Sequence, residues 1–150
     1  MLIGGVAARL HGSPLQTDDL DLTPDPATPN LQRLVEALRE LHAQFRLPGR
    51  SEGVPVPLHP AWFHSLTSAS FITLFGLLDV VSRPDGLGDY GAVAGKAEVY
   101  DVFGIRVRVA SLADIIRSKE AADREKDRAA LGTLRALRDR LCECRPEADR

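Results

Sequence analysis

The chain has 150 residues, 44% of them hydrophobic and 27% charged, with a formal net charge of -2. That is one domain's length with enough apolar material for its own core, too apolar for a disordered chain and too near neutrality for a wholesale nucleic-acid coat. No run approaches the roughly 20 apolar residues that cross a bilayer, no basic leader with a long apolar run opens the chain, and Cys142 and Cys144 are too few for a disulfide framework, which reads as a protein of the reducing cytoplasm.

In chain order, Leu2-Ile3-Gly4-Gly5 reads as a strand end running into a turn and a short helix over 6–11. So short a buried strand at the start raises the expectation that an upstream element is missing. Gly12-Ser13-Pro14 breaks the helix. Residues 17–22 read as a strand although Asp is depleted in strands, so their acids need a reason. Pro24, Pro26 and Pro29 make a turn, and Asn30 is expected to cap a helix whose stripe is Leu31, Leu34, Val35, Leu38, Leu41 and Phe45.

Residues 48–60, with four prolines and two glycines, read as a loop or an extended edge. Residues 71–82 read either as a hairpin broken near Gly76 or as one long buried strand, ended by Arg83-Pro84-Asp85-Gly86. A short helix is expected over 90–94. Val99 to Val102 and Ile105 to Val109 form a hairpin around Phe103-Gly104. Ser111 caps a helix over 112–122, and a second runs over about 124–143 on a stripe of Ala130, Leu131, Leu134, Leu137 and Leu141.

The acids carry the chemistry. Strand side chains alternate, so Asp19 and Asp21 share a face, roughly 7 Å apart along the strand, and Asp18 faces the other way. Asp79 stands alone among Leu77, Leu78, Val80 and Val81. A carboxylate in a buried strand is costly without a positive partner. If the two strands are neighbours, Asp19, Asp21 and Asp79 converge, and Mg2+ or Mn2+ would relieve their repulsion while leaving positions open for phosphate oxygens. A solvated strand face is the plain alternative. Asp101 is a rival third acid, but it sits in an edge hairpin where charge is cheap. Gly4-Gly5, between strand and helix, would let backbone amides approach phosphate closely. On the last helices, Lys119 suits a phosphate tail, Arg124 could add a bidentate contact and Asp127 could orient either cation; a solvated helix face is the alternative.

Charge is also uneven: residues 1–30 carry one Arg against four Asp, and residues 106–150 carry 12 Lys and Arg against nine Asp and Glu. A basic C-terminal half opposite an acidic site suits a nucleotide plus a second phosphate-rich substrate. His11, His42, His59 and His64 lack zinc spacing. His59 and His64 are weak candidates for the acceptor side. Trp62 and Phe63 more often pack a loop than stack on a base.

The diglycine, the spacer and Thr17-Asp18-Asp19-Leu20-Asp21-Leu22 resemble the signature of the DNA polymerase beta-type nucleotidyltransferase superfamily, with Asp79 matching its third carboxylate and Thr17 a position that is often threonine. Lys119, Arg124, Lys126 and Asp127 resemble the K-x4-R-x-K-D segment of AbiEii/MenT-like toxin nucleotidyltransferases, in which the lysine contacts nucleotide phosphates. The resemblance covers about residues 2–22 and 77–131. It implies an α+β, two-layer fold: a nucleotidyltransferase-like mixed sheet with helices packed on one side and a C-terminal helical segment. Residues 1–110 would form the core and 111–150 helices packed on it in the same domain.

The resemblance further implies an enzyme that moves an NMP from an NTP to an acceptor hydroxyl. Asp19, Asp21 and Asp79 would be catalytic and hold the metal, and Gly4, Gly5, Thr17, Lys119, Arg124 and Asp127 would hold the nucleotide. The partners it implies are an NTP, RNA (a tRNA 3′ end) or a protein as acceptor, and a cognate antitoxin, with no membrane; a small molecule such as an antibiotic would be modified by the same core. Two other readings stand beside it: a nucleotide-binding relic of the fold that has lost its chemistry, and an antitoxin that adenylylates a partner protein.

Overall fold

A computed structural model gives the fold and describes residues 1–143. In chain order the elements are β1 (Leu2–Ile3), α1 (Gly4–Leu10), β2 (Asp19–Leu22), α2 (Thr28–Glu40), β3 (Gln44–Phe45), α3 (Trp62–Ser65), β4 (Ser68–Thr73), β5 (Gly76–Val81), α4 (Tyr90–Ala94), β6 (Glu98–Val102), β7 (Ile105–Val109), α5 (Leu112–Ala122) and α6 (Glu125–Glu143). The strands form one sheet in the order β3-β4-β5-β2-β1-β7-β6. β2 runs parallel to β5 and β1 parallel to β7, and the other pairs are antiparallel. The architecture is thus α+β on a mixed sheet.

Alternation along the central strands divides the interior in two. Leu20, Leu22, Leu78 and Val80 face α2 and α3, where Leu31, Val35, Leu38 and Phe63 are buried. Ile3 and Val109 face α1, α5 and α6 and pack with Ala7, Ile115, Leu134 and Leu137. Helices packed on one side describes α1, α5 and α6; α2 and α3 cover the opposite face. His11, buried at the end of α1, fastens that helix to its neighbours. Its Nε2 lies 2.8 Å from the Ala110 carbonyl oxygen, which can only accept, so this nitrogen donates. Its Nδ1 lies 2.8 Å from the Tyr100 hydroxyl.

Several boundaries follow from local chemistry. Ser111 caps α5 by accepting from the Asp114 amide at 3.2 Å. Residues 71–82 belong to the hairpin alternative, with Leu74 and Phe75 at its tip. Asn30 does not cap α2. The helix starts at Thr28 with Pro29 in its first turn, where a missing amide proton costs nothing, and the Asn30 side chain donates to the Asp25 carbonyl at 2.8 Å. Phe45 leaves the helical stripe too. The chain turns at His42, which has a positive φ of 51°, and Phe45 enters β3 opposite Phe71. Among the described residues no helix is long and apolar enough to cross a membrane. Cys142 is exposed on α6, and Cys144 lies outside the described residues.

Candidate active site

The site is built by register. Asp21 pairs with Asp79 across the parallel β2·β5 ladder, and Ile3 pairs with Asp21 across β1·β2. Asp19 precedes Asp21 by two residues and shares its face. One oxygen each from Asp19, Asp21 and Asp79 lie within 4.8 Å of one another, and all three side chains are half-buried. The Asp19 and Asp21 oxygens are closer than the roughly 7 Å of strand rise between these residues, because the side chains lean toward one another.

Burial pushes the Asp21 carboxyl up to about 6; the charges of Asp19 and Asp79 add to this, and an amide hydrogen bond from Gly5 and the charge of Lys126 oppose it. The glycines explain why β1 runs directly into α1. Gly4 has a positive φ of 64°, and a Cβ on it would strike the Asp21 carboxylate. A Cβ on Gly5 would strike the Thr17 side chain. Thr17 Oγ1 donates to Asp19 Oδ1 at 2.9 Å, which fixes that carboxylate.

The opposite wall comes from α5 and α6. Asp127 is completely buried. Its Oδ1 accepts from Lys119 Nζ at 2.9 Å and its Oδ2 from Arg124 Nε at 2.6 Å. Burial works to raise the Asp127 carboxyl, but the hydrogen bonds from Arg124 and Lys119 prevail and hold it below the usual carboxylate range. The hydrogen bond to Asp127 holds Arg124 above its own. Lys119 keeps two further N–H groups for an anion.

Gly4, Gly5, Thr17, Asp19, Asp21, Asp79, Lys119, Arg124 and Asp127 all border one cleft of about 640 Å³. Asp18 borders it as well, contrary to the alternation argument, because it sits in a bend before β2 begins. Asp101 does not. It lies on the edge strand β6 and accepts from the Gly104 amide at 2.8 Å, a turn contact. His59 and His64 are exposed and stay outside the cleft lining. Trp62 packs against the α2 face, the packing role expected of it. Residues left without a role by the sequence also line the cleft: Lys126, and a strip of Thr67, Ser68, Ser70 and Arg83. Lys126 was visible as the second lysine of the basic segment. Thr67, Ser68 and Ser70 had no local signal, since only the β4·β5 pairing brings them beside β5, whereas Arg83 follows Asp79 by four residues on the same alternating face.

A solved structure of the lincosamide antibiotic adenylyltransferase LnuA with lincomycin bound superposes with a TM-score of 0.55 over 91% of this chain and 85% of that one, at 14% identity. The fold is nucleotidyltransferase-like. No protein family and no curated protein matches the sequence. On this nucleotidyltransferase-like frame the donor set fits a hard divalent cation: three carboxylates, no competing nitrogen or sulfur, and mutual repulsion that a cation removes.

Proposed function

We propose that the chain is a metal-dependent nucleotidyltransferase that moves an NMP from an NTP to an acceptor hydroxyl, acting on RNA as an AbiEii/MenT-like toxin does on a tRNA 3′ end. The observation that carries the reading is the convergence of Asp19, Asp21 and Asp79 in a cleft whose other wall holds Lys119 and Arg124. The cleft is lined by six carboxylates and four cations, so on its own it repels a triphosphate.

Asp19, Asp21 and Asp79 would hold Mg2+ or Mn2+. Bound there, the metal would offset that charge and polarise the attacking and leaving oxygens. The Gly4-Gly5 backbone, Thr17, Lys119 and Arg124 hold the nucleotide, and Asp127 fixes the two cations. The acceptor oxygen bonds to the α-phosphorus as the bond to the bridging α–β oxygen breaks. Pyrophosphate leaves, and an Asp79 carboxylate oxygen takes the acceptor's proton. Positioning and charge stabilisation supply most of the rate in such transfers.

The test incubates the protein with Mg2+, total RNA and each of the NTPs labelled at the α-phosphate. The reading expects label on small RNA with one or two of the NTPs, and none with Asp79→Asn. Failure to label any RNA with any NTP would remove the RNA acceptor. Growth arrest on expression alone separates the toxin from an antitoxin that adenylylates a partner. Equal nucleotide binding by wild type and Asp21→Ala would favour the non-catalytic relic. The lincomycin held by the structural neighbour favours a second acceptor, a small molecule such as an antibiotic; label on a small molecule instead of RNA would establish it.

A further inference from the structure

The strip of β4 and β5 beside the triad has a composition that the nucleotide side of the cleft does not share. Asp79, Val81 and Arg83 succeed one another at every second residue along one face of β5 and its extension, and all three line the cleft. Ser70 pairs with Asp79 and Ser68 with Val81 on β4, so they share that face. In the sheet order β4 lies on the side of β5 away from β2, β1 and the helices that carry Lys119 and Arg124. On β4 the strip therefore lies on the side of Asp79 away from the nucleotide wall, while past Arg83 the chain returns to α5, where Gly86 packs against Ala121 and Arg117.

Arg83 is held ready at its far end. Its amide and that of Ser82 both reach the Thr67 carbonyl, at 3.4 and 2.8 Å, and the Ser82 hydroxyl donates to the Phe63 carbonyl at 3.0 Å. Pro84 and Leu87 behind it are buried. The backbone is fastened on both sides while the side chain stays exposed. Lys119 and Arg124 are tied to Asp127, but among the described residues no acceptor engages the Arg83 guanidinium. Nor do the hydroxyls of Thr67, Ser68 and Ser70 hydrogen-bond to any of them. A planar guanidinium free to bind bidentately, at the end of a row of free hydroxyls, matches a polyol chain that carries phosphate.

We infer that Arg83, with Ser68 and Ser70, forms an acceptor subsite in which the guanidinium binds a backbone phosphate of an RNA acceptor and the hydroxyls contact its riboses. Arg83 lies four residues from Asp79, roughly 13 Å along the strand, so it reads a flanking phosphate and not the reacting centre. The inference rests on the nucleotidyltransferase reading, and the experiment separates the two.

A short fluorescein-labelled oligoribonucleotide is titrated by anisotropy in Mg2+ against wild type, Arg83→Glu, Arg83→Lys and Ser68→Ala/Ser70→Ala. Thermal shift with Mg2+ and each NTP is recorded on the same samples. Arg83→Glu is expected to weaken the oligonucleotide about tenfold or more and to reduce the Mg2+–NTP shift far less, through the altered cleft charge alone. Arg83→Lys should recover part of the loss and the serine pair should lose less. Loss of the Mg2+–NTP shift in Arg83→Glu would place Arg83 on the nucleotide side and overturn the inference. So would an oligonucleotide that binds wild type and Arg83→Glu equally, or that fails to bind a wild type still responding to Mg2+–NTP. A wild type that ignores Mg2+–NTP altogether overturns the reading beneath it as well.

Discussion

Asp21 is where the site works against stability. Its folded value of about 6 lies above that of the unfolded chain, so the metal-free fold holds the proton more tightly than the unfolded chain does. The stabilisation that proton brings is fully present at pH below the unfolded value and is lost as pH rises through about 6. In melts of metal-free protein, Asp21→Asn should therefore be the more stable form near neutral pH. The gain is on the order of 2 kcal/mol after allowance for its half exposure, or roughly 4–8 °C, and it should shrink as pH falls towards about 4. Equal melting of the two proteins at all pH values would show that the carboxylates do not strain one another. Metal binding by wild type should weaken as pH drops below about 6, because protons then compete for the same oxygens.

Gly4 is the second single-residue test. Gly104 also has a positive φ, 81°, but a Cβ there meets open space. Gly104→Ala should lose about 1–2 kcal/mol from backbone strain, and Gly4→Ala more, because its Cβ also strikes the Asp21 side chain. Only Gly4→Ala should lose Mg2+–NTP binding, since its methyl group occupies the place of an Asp21 oxygen. Thermal shift with and without ligand reads both effects.

At the scale of elements, the α5–α6 pair is stapled by Asp127 and sealed by Leu134, which is fully buried. Asp127→Ala removes the shared acceptor of two cations that can still reach water. The cost in urea unfolding should be about 2–3 kcal/mol, below that of breaking a fully enclosed pair. Nucleotide KM should rise more than kcat falls, because Lys119 and Arg124 lose their anchor. Leu137→Ala, in the same buried cluster but outside the cleft lining, should cost about 2–5 kcal/mol with little change in KM. Similar KM values for the two variants would mean that Asp127 serves only the fold.

These helices were legible because each signal was local: Ser111 before an apolar run, and a stripe at three- and four-residue steps in α6. Residues 28–45 were harder for a physical reason. Phe45 continues the period of α2 by coincidence, while the turn at His42 sends it into a strand, and periodicity alone cannot tell those uses apart. Asn30 has the chemistry of a cap, but the prolines before it set the helix start earlier.

At the scale of the molecule, the site depends on pairings between segments distant in sequence. The alternation of Asp19 and Asp21 and the isolation of Asp79 marked all three as residues needing a partner. The insertion of β1 between β2 and β7, which brings Gly4 against Asp21, has no local signature. Nor does the placing of α2 and α3 on the far face, or the arrival of Ser68 and Ser70 alongside Val81 and Asp79. The charge balance of the cleft, six carboxylates against four cations, also emerges only in three dimensions.

The most direct measurement is calorimetric titration of NTP into wild type and Asp79→Asn, with Mg2+ and with chelator. Binding to wild type in Mg2+, with at least a tenfold loss on chelation or in the variant, is the expected result. NTP binding of equal strength with chelator, or in Asp79→Asn, would contradict a metal held by the three carboxylates.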